Sequence, residues 1–266
     1  MLSYLYFIKV RLLVSLAYRF EAIFNVIAQV IMICVNYFFW TAIYGGTGSD
    51  MVVADTSLND MLIYSVVAVL LSSLFSTSVE NQMRGRIRQG NVAIDYIKPL
   101  SIFGMYFAQD IGEIVKNLLM SFFPLAIFSS IFIIVPIPYS ATHFLLFFLS
   151  GILSFIILWL LAAIFALLYF WLIDLGPLGL VKDYLIRFLS GSIIPVWFFP
   201  QKIQNILAYM PFVYIYQYPI SIFLGKINVS DAFHIIGLQL VWCVLLFIIF
   251  QLINMRASKH IMVQGG

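Results

Sequence analysis

Long apolar runs, separated by short charged stretches, decide what this chain can become. A helix rises about 1.5 Å per residue and the hydrocarbon core of a bilayer is about 30 Å thick, so about 20 apolar residues span it. Six runs meet or approach that length: 22–44, 61–79, 114–135, 143–173, 184–199 and 232–255, and none carries an Asp, Glu, Lys or Arg at its centre. The fifth is short and interrupted by Gly191 and Pro195. Overall 64% of the 266 residues are hydrophobic and only 9% charged, against roughly 45–50% and about 25% in soluble domains. One soluble core cannot hide that excess. A soluble enzyme, a nucleic-acid binder and a disordered chain are excluded. The chain is expected to be an all-α integral membrane protein forming one domain over residues 1–266.

Orientation follows from the basic residues near the span ends. Lys9, Arg11 and Arg19 precede the first span. Arg84, Arg86, Arg88, Lys98 and Lys116 lie between the second and third, Lys182 and Arg187 between the fourth and fifth, and Arg256 and Lys259 after the sixth. Only Lys202 and Lys226 fall on the other side, beside Asp50, Asp55, Asp60 and Asp231. Both termini are therefore expected in the cytoplasm. The first span is too long for a cleaved signal core of about 7–15 residues and is read as retained. Before it, Ser3 to Tyr18 places Arg11, Ser15 and Arg19 on one helical face, which fits an interfacial helix or an extension of the first span.

Polar side chains inside spans usually face other helices or a water-filled cavity. In the first span Glu21, Asn25, Gln29 and Asn36 fall within about 80° of one another at 100° per residue. In the second, Ser65, Ser72 and Ser76 share a face within about 40°. Two such stripes on neighbouring helices fit either a translocation path or hydrogen-bonded packing. Asp110, Glu113 and Lys116 are expected just before the third span, pairing three residues apart. His143 and His234 read as interface residues, His260 as solvated, and Cys34 and Cys243 as small apolar residues, so no metal ligand set is expected.

Two connections differ from ordinary loops. Residues 80–98 hold Glu80, Arg84, Arg86 and Arg88, bracketed by Gly85 and Gly90. A short basic helix there could dock on a cytoplasmic partner, although three arginines would also enforce topology by themselves. Residues 200–225 and the stretch before them carry Pro195, Pro200, Pro211 and Pro219, yet stay apolar and aromatic. Broken backbone is tolerated at membrane depth only where protein or a water-lined cavity covers it, so 200–225 is read as short helices re-entering the outer leaflet.

These two connections carry a resemblance. The stretch Arg86-Ile-Arg-Gln-Gly-Asn-Val-Ala-Ile-Asp-Tyr-Ile-Lys-Pro-Leu100 resembles the cytoplasmic pattern of type-2 ABC exporter permeases, in the compact six-span branch encoded apart from its ATPase. Ser190-Gly-Ser-Ile-Ile-Pro195, Phe199-Pro200 and Met210-Pro-Phe212 are similar to that family's Ser-Gly and Pro series. Lys98 stands where the family pattern has Arg. The resemblance implies a permease in a bacterial plasma membrane that pairs with a second permease, identical or related, and with two cytoplasmic ATPase subunits. It implies a coupling helix with Glu80, Arg84, Arg86 and Arg88 and a pathway near Asn25, Gln29, Asn36, Ser72 and Ser76. It also implies an outer gate near Phe198, Phe199 and Tyr209. No catalytic residue is expected: the sequence has no Gly-x-x-x-x-Gly-Lys-Ser/Thr loop, so ATP and Mg would sit on the partner. Three other readings were weighed. A stand-alone secondary carrier needs an intramembrane carboxylate or an inverted repeat; an intramembrane lipid enzyme needs a catalytic set. A non-transporting anchor for an ATPase would keep the same coupling segment.

Overall fold

The computed structural model describes residues 2–17, 19–45, 56–97, 100–172 and 176–260. Every regular element among them is helical. In chain order these are α1 (Leu2–Ala17), α2 (Arg19–Gly45), α3 (Leu58–Leu74), α4 (Val79–Arg88), α5 (Val92–Ile97) and α6 (Ile102–Asn117). A π-turn over Leu118–Phe122 joins α6 to α7 (Phe123–Phe132). Then come α8 (Ala141–Leu172), α9 (Pro177–Leu189), α10 (Gln201–Ala208), α11 (Gln217–Phe223) and α12 (Val229–Ala257).

Five helical stretches are long and apolar enough to cross a bilayer: Ala22–Gly45, Leu58–Arg88, Ile102–Phe132, Ala141–Leu172 and Val229–Ala257. They match the expected first, second, third, fourth and sixth spans, with the third beginning well upstream of residue 114. The expected fifth span does not run as one helix. α9 stops at Leu189, Gly191 takes φ +83°, and the chain passes through Pro195 to a 3-10 turn at Val196–Phe198. It still joins the two ends of the bundle, because Lys182 bonds Glu80 at one end and Trp197 lies under Lys226 at the other. The apolar run is thus a half-helix followed by irregular backbone, as Gly and Pro demand.

α3 and α8 form the core, with 61% of each apolar window buried against only 11% for α2. α3 starts where Ser57 accepts the Asp60 amide at 3.2 Å, with Asp60 favourably in the first turn. Ala163 and Ala166 on α8 are fully buried, and small residues there let neighbouring helices approach closely. α8 packs on α12, α4 and α11; α2 packs on α3; α1 lies along α6.

α8 also serves as a depth gauge. His143 near its start bonds the Ile227 carbonyl at 3.1 Å, and Tyr169 near its end bonds Glu80 at 3.3 Å. Those positions are about 39 Å apart along the helix, more than a hydrocarbon core. The bent pair α10 and 212–223, turned by 77°, reaches Ser154 through the Tyr214 carbonyl, about 16 Å along from His143. It begins and ends on the Ile227 side.

Candidate functional site at the charged end of the bundle

At the Tyr169 end of α8, α4 is a ten-residue helix that buries Val79 and Met83 and carries Glu80 in its first turn, Arg86 and Arg88 in its last. That charge order suits the helix dipole. Glu80 is tied inward: it pairs with Lys182 of α9 and accepts from the Tyr169 hydroxyl of α8. Lys182 also pairs with Asp183 at 2.9 Å and lies over the Phe165 ring at 5.1 Å. Arg86 reaches Asp95 of α5 at 3.0 Å, where the carboxylate is 2% exposed and the arginine 42%. Arg84 donates to Asn81 on its own helix at 3.3 Å, and Arg88 is exposed. The four residues expected to couple therefore divide. Glu80 and Arg86 tie α4 to other helices of this chain, Arg84 bonds within its own helix, and Arg88 is exposed. Lys98 and its neighbour Pro99 lie outside the described residues.

The start of α4 is held by Asp110, a residue expected just before the third span at the cytoplasmic edge. It is 1% exposed and turned inward. Its Oδ1 accepts from the Ser78 amide at 3.0 Å and from the Ser78 hydroxyl, and its Oδ2 accepts from Trp159 Nε1 of α8 at 2.9 Å. Ser78 is the residue that begins α4, so the carboxylate caps a helix start from outside, where amide donors and dipole favour an anion. Two turns further along α6, Asn117 donates to Ser76 at 3.0 Å. α6 thus grips the break between α3 and α4 at two points. Lys116 and Glu113 do pair three residues apart, as expected. On the α8 gauge Trp159 lies about 24 Å from His143 and about 15 Å from Tyr169, so the carboxylate sits on the α4 side of the middle of the bundle.

The expected pathway residues are spread over two neighbouring helices and do not line one cavity. Asn25 is exposed, and Gln29 is half-buried with its Oε1 sealed from solvent and unpartnered among the described residues. Asn36 meets Ser65 in a crevice with Ile33, Leu62 and Ile133 that has no room for a water. Ser65 donates to the Met61 carbonyl at 2.9 Å and Ser72 to Val69 at 2.8 Å, the self-satisfying pattern of hydroxyls in apolar helices. Ser76 alone borders a sizeable space. With Thr77, Asp183, Arg187 and Tyr216 it lines a half-polar cavity of about 400 Å³ between the α3–α4 break and α9. The side chain of Glu21 is outside the described set.

Of the expected gate residues, Phe198 stacks on Trp40 of α2 at 5.4 Å and Phe199 packs on Phe188 at 5.0 Å. Tyr209 is 84% exposed and closes nothing within this chain. The joint between the half-helix and the re-entering segment is instead organised by Gln217. Its Oε1 accepts the Val196 amide at 2.8 Å and lies 2.9 Å from the Tyr64 hydroxyl, whose proton it shares with the Gly191 carbonyl at 2.7 Å. Its Nε2 donates to Ser221 at 3.2 Å. A Cβ at Gly191 would lie 2.7 Å from Gln217 Oε1 and 2.9 Å from the Tyr64 oxygen. A second amide, Gln239 of α12, is fully buried and offers its Nε2 to the Ser150 and Tyr214 carbonyls at 3.2 and 3.0 Å and to Ser154 Oγ at 3.1 Å. The sequence reading named neither amide, although an amide inside the sixth apolar run, like those in the first, was a signal that could have found Gln239.

Among the described residues no group of three or more His, Cys, Asp or Glu could hold a metal. Cys34 and Cys243 are both free, in keeping with their reading as apolar residues.

A model of the ABC-2 family transporter proteins matches residues 30–265, leaving only α1 and the start of α2 outside it. No curated protein and no solved structure matches the chain. The apolar helices, the broken fifth crossing and the α4 segment are thus parts of one matched unit, and the chain belongs to the ABC-2 family of transporter membrane proteins.

Proposed function

We propose that this chain is half of the substrate pathway of an ATP-driven exporter, with α4 as its coupling helix. A second permease copy and two cytoplasmic ATPase subunits complete it, and ATP with Mg binds only to those subunits. The observation that carries the reading is the way α4 is mounted. It is a short amphipathic helix at the basic end, capped by Asp110 of α6 and bound through Glu80 to α8 and α9. A push on such a helix moves three spans together, because packed elements shift as units rather than deform. The basic residues around it support a cytoplasmic position for this end, and for both termini, by the positive-inside rule.

The half-polar cavity beside Ser76 opens at the same end and supports an entry for cargo from that side. The polar residues of α2 face no cavity within one chain, which fits a path completed by a second copy placed against α2. Phe198, stacked on Trp40 of the same helix, then joins the outer closure to that path.

The test is purification of the tagged chain in mild detergent, identification of its co-purifying chains, and reconstitution. A partner with a phosphate-binding loop and ATP-dependent efflux is expected. Reversal of Arg84, Arg86 and Arg88 to Glu should lower transport at least tenfold while the partner still hydrolyses ATP. Arg84→Glu alone, which spares the Arg86–Asp95 bridge and leaves Arg88 in place, separates coupling from folding. Wild-type coupling in both variants, or a chain that purifies alone without ATPase activity, overturns the proposal.

A further inference from the structure

At the end of the bundle opposite α4, the broken segment encloses a cleft of about 360 Å³ between α10, α11 and the turn at Val196–Phe198. That volume lies at the small end of ligand pockets, about 300–1,000 Å³. Its lining differs in kind from the rest of the protein. Gln201, Gln204 and Asn205 of α10, Gln217 and Ser221 of α11, and the rings of Trp197 and Tyr218 all border it, and among the described residues no carboxylate does.

Two of the amides are held in fixed orientations by backbone bonds. Gln204 must point its Nε2 at the Trp197 and Phe199 carbonyls, 3.2 and 2.7 Å away, because only the nitrogen can donate, which leaves Oε1 as an acceptor. Gln217 uses its oxygen on Val196 and one N–H on Ser221, so a second N–H remains. Gln201 and Asn205, both exposed, bond each other at 3.0 Å, which leaves one donor and one acceptor of the pair without a further bond among the described residues. Acceptors and donors therefore both face the cleft, and the two backbone-held amides are preorganised for binding. The lining cation, Lys226, is already engaged by Thr56 Oγ1 at 2.6 Å and by the Trp197 ring at 4.6 Å.

We propose that this cleft binds a neutral, polyhydroxylated group, a sugar ring or its equivalent, carried either by a free glycan or by a lipid headgroup. A hydroxyl both donates and accepts, which suits amide donors and acceptors together. A sugar's C–H face suits an aromatic wall, and a described lining of amides and a hydroxyl, with its one lysine already occupied, suits an uncharged ligand. The proposal deepens the permease reading by naming a substrate or lipid class. It is read by binding alone, without ATP or a partner, so it can fail while coupling stands and the reverse.

The protein in phosphatidylcholine nanodiscs is exposed to a panel of neutral mono- and disaccharides, each free and as its diacylglycerol glycoside, with acetyl-tetraalanine amide as a peptide probe. At least one glycoside should bind the unaltered protein. Gln201→Ala with Asn205→Ala should weaken it at least tenfold with an unchanged thermal midpoint, since both side chains are exposed, whereas Lys202→Ala on the same helix should leave it unchanged. Binding of the free sugar identifies a soluble glycan; binding of the diacylglycerol form alone identifies a headgroup. No binding across the panel, binding indifferent to the double variant, or preferential binding of the peptide overturns the proposal.

Discussion

The two ends of this bundle are fastened by different chemistry. At the α4 end the links are charges: Glu80 with Lys182, Arg86 with Asp95, Glu113 with Lys116, and Asp110 over the start of α4. At the other end they are amides, carbonyls and ring contacts around Gln217, with glycines at Gly191 and Gly225 in left-handed conformations. The difference follows from where backbone is broken. Regular helices satisfy their own N–H and C=O groups, so α4 and α9 can be joined through side chains alone. The segment from Gly191 to Tyr216 leaves backbone groups open within apolar surroundings, and an unpaired group there is costly. An amide both donates and accepts, so one Gln can close several such gaps. Charges thus join regular helices at one end, and amides hold irregular backbone in place at the other.

The contrast breaks most severely at Gly191. Alanine there meets two penalties: a left-handed conformation costing about 1–2 kcal/mol and a Cβ 2.7 Å from Gln217 Oε1, for which overpacking adds about 1–3 kcal/mol. Gly191→Ala is expected to destabilise by about 2–5 kcal/mol, lowering the thermal midpoint in detergent and the yield of folded protein. A midpoint equal to that of the unaltered protein would show that the Gln217 joint yields easily and that the far end is not the rigid one.

Asp110→Asn sharpens the comparison from the charged side. The substitution keeps one acceptor oxygen but sets an amide nitrogen against either the Ser78 amide or Trp159 Nε1, leaving a buried donor unpaired at a cost of about 1–3 kcal/mol. In the reconstituted complex, transport should fall severalfold more than ATP hydrolysis, because α4 loses its grip on α6 while its exposed basic residues are unaltered. Equal loss of both activities would make Asp110 a stability residue only.

How much of this could be read from the chain follows the same division. Long apolar helices cover the first, fourth and sixth runs within a few residues of their expected bounds, since bilayer thickness sets run length, whereas the second continues through α4 to Arg88. The breaks in the fifth run at Gly191 and Pro195 were legible, but not its half-helix, because its partners Tyr64 and Gln217 are distant in sequence. Asp110 was expected at the cytoplasmic edge of the third span, with Glu113 and Lys116 following at helical spacing. Its burial depends on α4 folding over it, which no local pattern encodes. Glu80 and Arg86 were named from their segment, yet their inward partners Lys182 and Asp95 come from other elements.

The smallest effect tests the stripe on α3. Ser72 spends its hydroxyl proton on the Val69 carbonyl of its own helix, 2.8 Å away, and is only half-buried. Its bond costs the helix nothing when removed, since that carbonyl is already paired within the helix. Ser72→Ala should therefore change stability by about 0.5 kcal/mol or less and leave transport within twofold in a vesicle efflux assay. Asn36→Leu in the same assay gives the contrast, because Asn36 shares its crevice with Ser65 and faces the α2–α3 contact. A transport defect in Ser72→Ala at unchanged stability would put that hydroxyl against cargo. The path would then run along α3, inside the buried core, instead of along the exposed face of α2.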